Sequence, residues 1–196
     1  MRTTQGRPKS FDEDEVLALA MNYFWENGYE NSSLDSLLVA MGIKKSSFYH
    51  AFKSKEELFS RCLGLYRKIL TQHFETLKDE VGPKAALLVL SDMTIKEFKE
   101  TGKVKGCLLI NSGKECYNRY TDLSHQIRIE FNFMFESFER FVKEAQERGE
   151  ISNQTEAKVI AGRYMNTFNG LIVTIQAGAS GELIDDLIQS LRELLE

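Results

Sequence analysis

Residues 32–53 read SSLDSLLVAMGIKKSSFYHAFK, a run that two short helices joined by a tight turn account for. Ser32 and Ser33 stand before Leu34, where a side-chain oxygen can cap a helix start. Leu34, Leu37, Leu38 and Met41 recur at helical spacing and supply a buried face. Gly42 suits the left-handed conformation that stops a helix, and Ile43 plugs the turn. The second helix of the pair is expected from about Lys45 to Phe52, with Phe48 and Phe52 four residues apart on its apolar side.

Such a pair is a helix-turn-helix. In DNA binders of this kind the second helix lies in the major groove and its first residues reach base edges. Here those residues are Lys44, Lys45, Ser46 and Ser47, which are cationic or small. Tyr49 and His50 face away from Phe48 and Phe52 and can donate to phosphate oxygens. Lys53 and Lys55 extend the positive edge, and Ser32 and Ser33 lie where a helix cap can meet the DNA backbone. By itself the pattern also fits a plain αα-hairpin with a solvated lysine face.

Net charge sharpens the choice. The chain carries a formal charge of -4, which excludes nucleic-acid binding by bulk charge and demands a local patch. Between Lys44 and Lys55 the four lysines Lys44, Lys45, Lys53 and Lys55 meet no acidic residue. A basic arm, residues 1–9, adds Arg2, Arg7 and Lys9.

The remainder reads as helix throughout, with only two prolines, Pro8 and Pro83. An all-α fold of about nine helices is expected, with no convincing strand. Ser10 with Glu13 forms a capping box for the first helix, which ends at Asn27-Gly28. Ser54 with Glu57 opens a long fourth helix to about Lys78. Pro83 suits the start of the fifth, about Lys84 to Glu100. The sixth begins near Gly106 and ends near Tyr117; the seventh is capped by Thr121 or Asp122 and runs to Arg148. The eighth is expected over Thr155–Ala177 and the ninth over Glu182–Leu195. The organisation is therefore a helix-turn-helix head, residues 1–55, and a helical body, residues 56–196.

Residues 10–59 resemble the N-terminal domain of TetR/AcrR-type transcriptional regulators. The likeness rests on Ala18 to Phe24 with Gly28-Tyr29, on Ser32-Ser33-Leu34 with Leu37-Leu38, on Met41-Gly42-Ile43, and most specifically on Ser47 through Leu58. The family often has Ser or Thr at position 44 and Gly or Ala at 46, where this chain has Lys44 and Ser46. The resemblance implies a homodimer on palindromic double-stranded operator DNA, most often acting as a repressor. It also implies a body that binds a small effector among helices four to eight and dimerises through helices eight and nine, with the fourth helix as lever.

The body offers matching features. The ninth helix carries a wide stripe, Leu183, Ile184, Leu187, Ile188, Leu191, Leu194 and Leu195, and the eighth has the small residues Ala157, Ala161, Gly162 and Gly170. Phe131 and Phe135 on the seventh helix, with Tyr164 and Phe168 on the eighth, are candidates to line an aromatic effector pocket, or are plain core. Gly106 to Asn111 resembles a motif in one branch of the family, some of whose members sense electrophiles or oxidants through the cysteine. Cys107, with Asn111 beside it, is thus a candidate sensor whose thiol a helix start would acidify, or a small packed hydrophobe.

Other classes find no support. Cys62, Cys107 and Cys116 show no Cys-x-x-Cys spacing, which argues against disulfides and zinc and fits a reducing cytoplasm. His50, His73 and His125 are scattered, and Cys116, Asp122 and His125 lack metal-ligand spacing, so no metal or cofactor is expected. No nucleophile–base pair or phosphate-cradling glycine loop suggests an enzyme. There is no run of about 18 apolar residues for a membrane span and no signal peptide, so a cytoplasmic protein, nucleoid-associated when DNA-bound, is expected.

Overall fold

The computed structural model describes residues 12–196. The basic arm and the Ser10 cap lie outside them. The described residues form helices in the order α1 (Glu13–Asn27), α2 (Leu34–Met41), α3 (Lys45–Phe52), α4 (Lys55–Val81), α5 (Pro83–Thr101), α6 (Leu108–Cys116), α7 (Thr121–Glu147), α8 (Ala157–Gln176) and α9 (Gly181–Glu193), with no strand among them. None is long and apolar enough to cross a membrane.

The chain divides into two compact units, one up to Leu65 and one from Tyr66 to Glu196. This division falls inside α4, where the sequence also puts it, and packing accounts for it. Leu58, Phe59, Cys62 and Leu63 are fully buried. Phe59 meets the Phe24 ring at 4.6 Å and the Tyr29 ring at 4.9 Å, and the Cys62 thiol points at the Leu17 carbonyl. The first turns of α4 thus complete the core of the head.

Local chemistry explains the head's elements. Asp12 caps α1, its carboxylate accepting from the N–H groups of Asp14 at 2.9 Å and Glu15 at 3.4 Å. The Glu13 carboxylate meets the Arg61 guanidinium on α4. Ser33, not Ser32, caps α2, accepting from the Ser36 N–H at 3.1 Å. Gly42 then closes α2 at φ +64, a backbone that L side chains rarely adopt. Val16, Leu17, Ala20, Met21 and Phe24 from α1 pack with Leu37, Met41, Phe48 and Phe52 as the buried core. At about 25 cal/mol per Å² of apolar area, burial of this kind is the main stabilising term of so small a unit.

In the second unit α7 packs on α5, α6 and α8, and α8 packs on α9. Pro83 occupies the first turn of α5 as its missing N–H allows. The Glu150 carboxylate accepts from the Lys84 N–H at 3.0 Å and so caps α5 from the far end of α7. A Cβ at Gly82 would stand 3.0 Å from that carboxylate, and the backbone at φ +90 is one that L side chains rarely adopt. Neither Thr121 nor Asp122 caps α7: Tyr120 holds the cap position and makes no side-chain cap bond. Ser180 caps α9, accepting from the Leu183 N–H at 3.4 Å.

Candidate nucleic-acid interface and effector sites

The α2–turn–α3 pair presents one polar face. Ser33, Lys44, Lys45, Ser46, Tyr49, His50 and Lys53 are exposed, and Ser47 and Lys55 are half-buried. Phe48 and Phe52 sit opposite, fully buried with ring centroids 5.8 Å apart, and they fix how α3 rotates. Tyr49 stands edge-on to Phe48 at 5.3 Å yet remains 49% exposed. Lys44 holds the N-cap position of α3 with extended backbone and no side-chain cap bond, so the first-turn N–H groups meet no capping oxygen.

Three details differ from the sequence reading. Ser32 is fully buried and its hydroxyl donates to the Gly28 carbonyl, which gives it a structural role. Lys55 lies 4.3 Å over the Tyr29 ring, which orients its ammonium by a cation–π contact. Lys53 approaches Glu57 at 3.7 Å while staying 80% exposed, a weak pairing that leaves its charge available. Val39 on α2, 83% exposed, is an outward apolar side chain that periodicity alone leaves unremarked.

Of the six residues proposed for an effector site, each is placed by its own contacts. Tyr164 is fully buried, its hydroxyl donating to the Leu87 carbonyl on α5. Its ring is stacked on Phe168, with interplanar angle 6°. Burial pushes the Tyr164 phenol well above its ordinary range. These two side chains are core. Phe135 approaches the backbone of α8 at Gly162, where a Cβ would stand 3.7 Å from its ring. Asn111 donates to the Lys105 carbonyl at 2.9 Å and fastens the loop before α6.

Cys107 occupies the N-cap of α6, as expected, but its thiol is not acidified. Burial raises its pKa. The Ile110 N–H, a hydrogen bond with Tyr66 and the Leu109 N–H act in the opposite direction and lose. The helix-start field anticipated from sequence is therefore present and outweighed by desolvation.

An open cleft of about 800 Å³ lies in the body between α6 and α7. Leu109, Ile110, Ile127 and Phe131 supply apolar lining, Lys114 and Arg128 supply cations, and the His125 imidazole lies among them. Phe131 is the one predicted pocket residue that lines it. His125, Arg128 and Phe131 follow the spacing of one helical face, a signal legible in sequence; Lys114 joins them only through the packing of α6 on α7. Among the described residues no group of three or more His, Cys, Asp and Glu is placed to hold a metal.

Comparison with known proteins gives two family matches: residues 16–62 to bacterial regulatory proteins of the tetR family, and residues 83–191 to the tetracyclin repressor-like C-terminal domain. The HTH-type transcriptional repressor ComR of Escherichia coli (strain K12) is 28% identical over 184 residues, covering 93% of this chain and 88% of ComR. The crystal structure of E. coli NemR in its reduced form superposes with a TM-score of 0.81 at 18% identity, covering 93% of this chain and 97% of that one. A cysteine mutant of the TetR family transcriptional regulator CifR, complexed with 26 bp double-strand operator DNA, superposes with a TM-score of 0.76 at 25% identity, covering 96% of this chain and 98% of that one.

Proposed function

The chain belongs to the TetR family of bacterial regulatory proteins, and from that premise we propose that it is a repressor which binds a palindromic operator as a homodimer and releases it when a small hydrophobic or electrophilic effector occupies the body. It is a transcriptional regulator and not an enzyme. As a DNA-bound protein it works in the cytoplasm, on the nucleoid.

One observation carries the reading: the first turn of α3. Lys44, Lys45 and Ser46 are exposed there, the N–H groups carry no side-chain cap, and no carboxylate occurs between Lys44 and Lys55. Uncapped N–H groups and the helix dipole favour a phosphate at that point. Lys44, Lys45 and Lys53 add the salt-dependent attraction, and the small side chains of Ser46 and Ser47 let the backbone approach base edges. The exposed Tyr49 can donate its hydroxyl to a phosphate oxygen. Operator binding by the CifR relative and the repressor role of ComR support the assignment.

Dimerisation is supported by what α8 and α9 leave uncovered. Leu183 is 46% exposed and Val173 44%, while Leu187, Ile188 and Leu194 are half-buried. Gly170 is exposed beside them on α8 and permits close helix approach. Twofold pairing through this face would match a palindromic site. Effector control then amounts to a shift between states that fit and do not fit the operator spacing.

The test is selection from a random duplex DNA library with the full chain. A palindromic consensus is expected, and its binding should be abolished by Lys45→Ala with Tyr49→Ala. Enrichment of no sequence by a folded dimer would overturn the proposal.

Electrophile sensing through Cys107 is the second reading, supported by its place at the start of α6 and its hydrogen bond with Tyr66. The raised thiol pKa weighs against it. Alkylation should then release DNA from the wild type and not from Cys107→Ser; equal release from both excludes it.

A further inference from the structure

The cleft between α6 and α7 has no part in the DNA-reading face and holds none of the expected sensor residues except Phe131. Its chemistry is lopsided. Lys114 comes from α6, and His125 and Arg128 come from α7. All three are exposed, and no carboxylate is among the described residues that line the cleft. None of the three has an ion pair among the described residues. This is unusual in a chain of net charge -4 whose other long-range contacts pair cations with acids, as in Arg67–Glu130 and Arg192–Asp92.

The floor is the opposite in character. Leu109, Ile127 and Phe131 line it, Leu109 and Ile127 being buried residues that show only an edge to the cavity. The volume of about 800 Å³ lies within the range of small-molecule sites, and the mix of apolar lining with a few convergent polar groups is what such sites share. Thr121 and Ser124, also in the lining, stand at the first turn of α7, which has no side-chain cap.

We infer that this cleft binds a small amphipathic anion, with its carboxylate or phosphate head held by Lys114 and Arg128 and its apolar body on Phe131 and Ile127. The occupant's charge follows from the uncompensated cations: an anion forms charge-assisted hydrogen bonds there, bidentate at Arg128, that a neutral head cannot. Its apolar part follows from the floor, which gains by being covered. That occupancy alters operator binding rests on the regulatory reading above; the binding itself does not.

Titration calorimetry on the full-length, DNA-free protein tests the site, with decanoate, decyl phosphate and neutral decanamide as probes. Decanoate or decyl phosphate should bind at least tenfold more tightly than decanamide, and the tighter of the two identifies the head group. Lys114→Ala with Arg128→Ala, both at exposed positions, should erase that preference, leaving the circular dichroism spectrum unchanged. Gly113→Leu, which fills the cleft from α6, should weaken all three probes. Equal binding of anion and amide, or a preference that survives the double substitution, overturns the inference. A parallel gel shift without probes separates this failure from failure to bind operator at all.

Discussion

Arg67 on α4 and Glu130 on α7 meet at 2.5 Å, Nε to Oε2, with the Glu130 side chain 7% exposed. Gln126 donates to the other carboxylate oxygen at 2.7 Å, and the Arg67 guanidinium lies 5.0 Å over the Phe133 ring. A carboxylate this enclosed is tolerable only while its partners stay. Arg67→Ala should therefore cost about 1–3 kcal/mol in urea unfolding, less than a fully buried pair because Arg67 is one-third exposed. Arg67→Ala with Glu130→Gln should recover part of that loss, because the stranded charge is gone. A double substitution less stable than Arg67→Ala would contradict the account.

Ser32 and Lys45 should separate stability from DNA affinity. Ser32→Ala removes a buried hydrogen bond to the Gly28 carbonyl and should lower stability by about 1 kcal/mol, leaving operator affinity of the folded protein unchanged. Lys45→Ala should do the reverse: stability within about 0.5 kcal/mol, affinity reduced, and the salt dependence of binding shallower by about one ion. Thermal unfolding and gel shifts at several salt concentrations read the two effects.

Cys107 should be a slow nucleophile. Burial holds its thiol above the ordinary value of 9.0, so the thiolate fraction at neutral pH is smaller than that of a free cysteine. Iodoacetamide labelling followed by mass spectrometry should show a rate at least tenfold below that of the unfolded chain and still rising past pH 9. Tyr66→Phe removes a hydrogen bond that favours the thiolate, so it should not speed the reaction. Rapid labelling that levels off below pH 8 would refute this.

Alkali should unfold the protein early. Cys62, Tyr66, Cys107 and Tyr164 are all pushed up, in each case chiefly by burial. The native state keeps these protons while the unfolded chain loses them at ordinary values. Their stabilisation is thus fully present below those values and lost as pH rises through and beyond them, by up to about 1.4 kcal/mol per group per pH unit. Tm should be flat between about pH 6 and 8 and fall steeply above about pH 9. Tyr164→Phe, lower at the start, should show a shallower fall.

The head was legible because each local signal there has one structural answer. Gly42, the Phe48–Phe52 pair, and Ser54 before Glu57 leave little choice of register, and α3 runs from Lys45 to Phe52 as read. The errors there are of degeneracy. Two adjacent serines both look like caps, yet only Ser33 faces the helix start, and the tertiary turn buries Ser32. Asp12 serves as the α1 cap by the same chemistry that Ser10 advertised. In the body the ambiguity runs deeper. An aromatic residue on the buried face of α7 or α8 has the same spacing whether it lines a cavity or fills one, so Tyr164 and Phe168 could not be told apart from Phe131. Lys114 and Arg128 belong to one site only because α6 packs on α7, a contact no local pattern encodes.

Lys44→Ser would supply the oxygen that α3 lacks and should stabilise the free helix by about 1 kcal/mol. The same oxygen would then compete with a phosphate for the N–H groups it satisfies, and a cation would be gone. Selection for a sturdier head and selection for a tighter grip on DNA therefore pull position 44 in opposite directions. With lysine at 44, the free helix forgoes a cap and keeps its first-turn N–H groups open to an incoming anion.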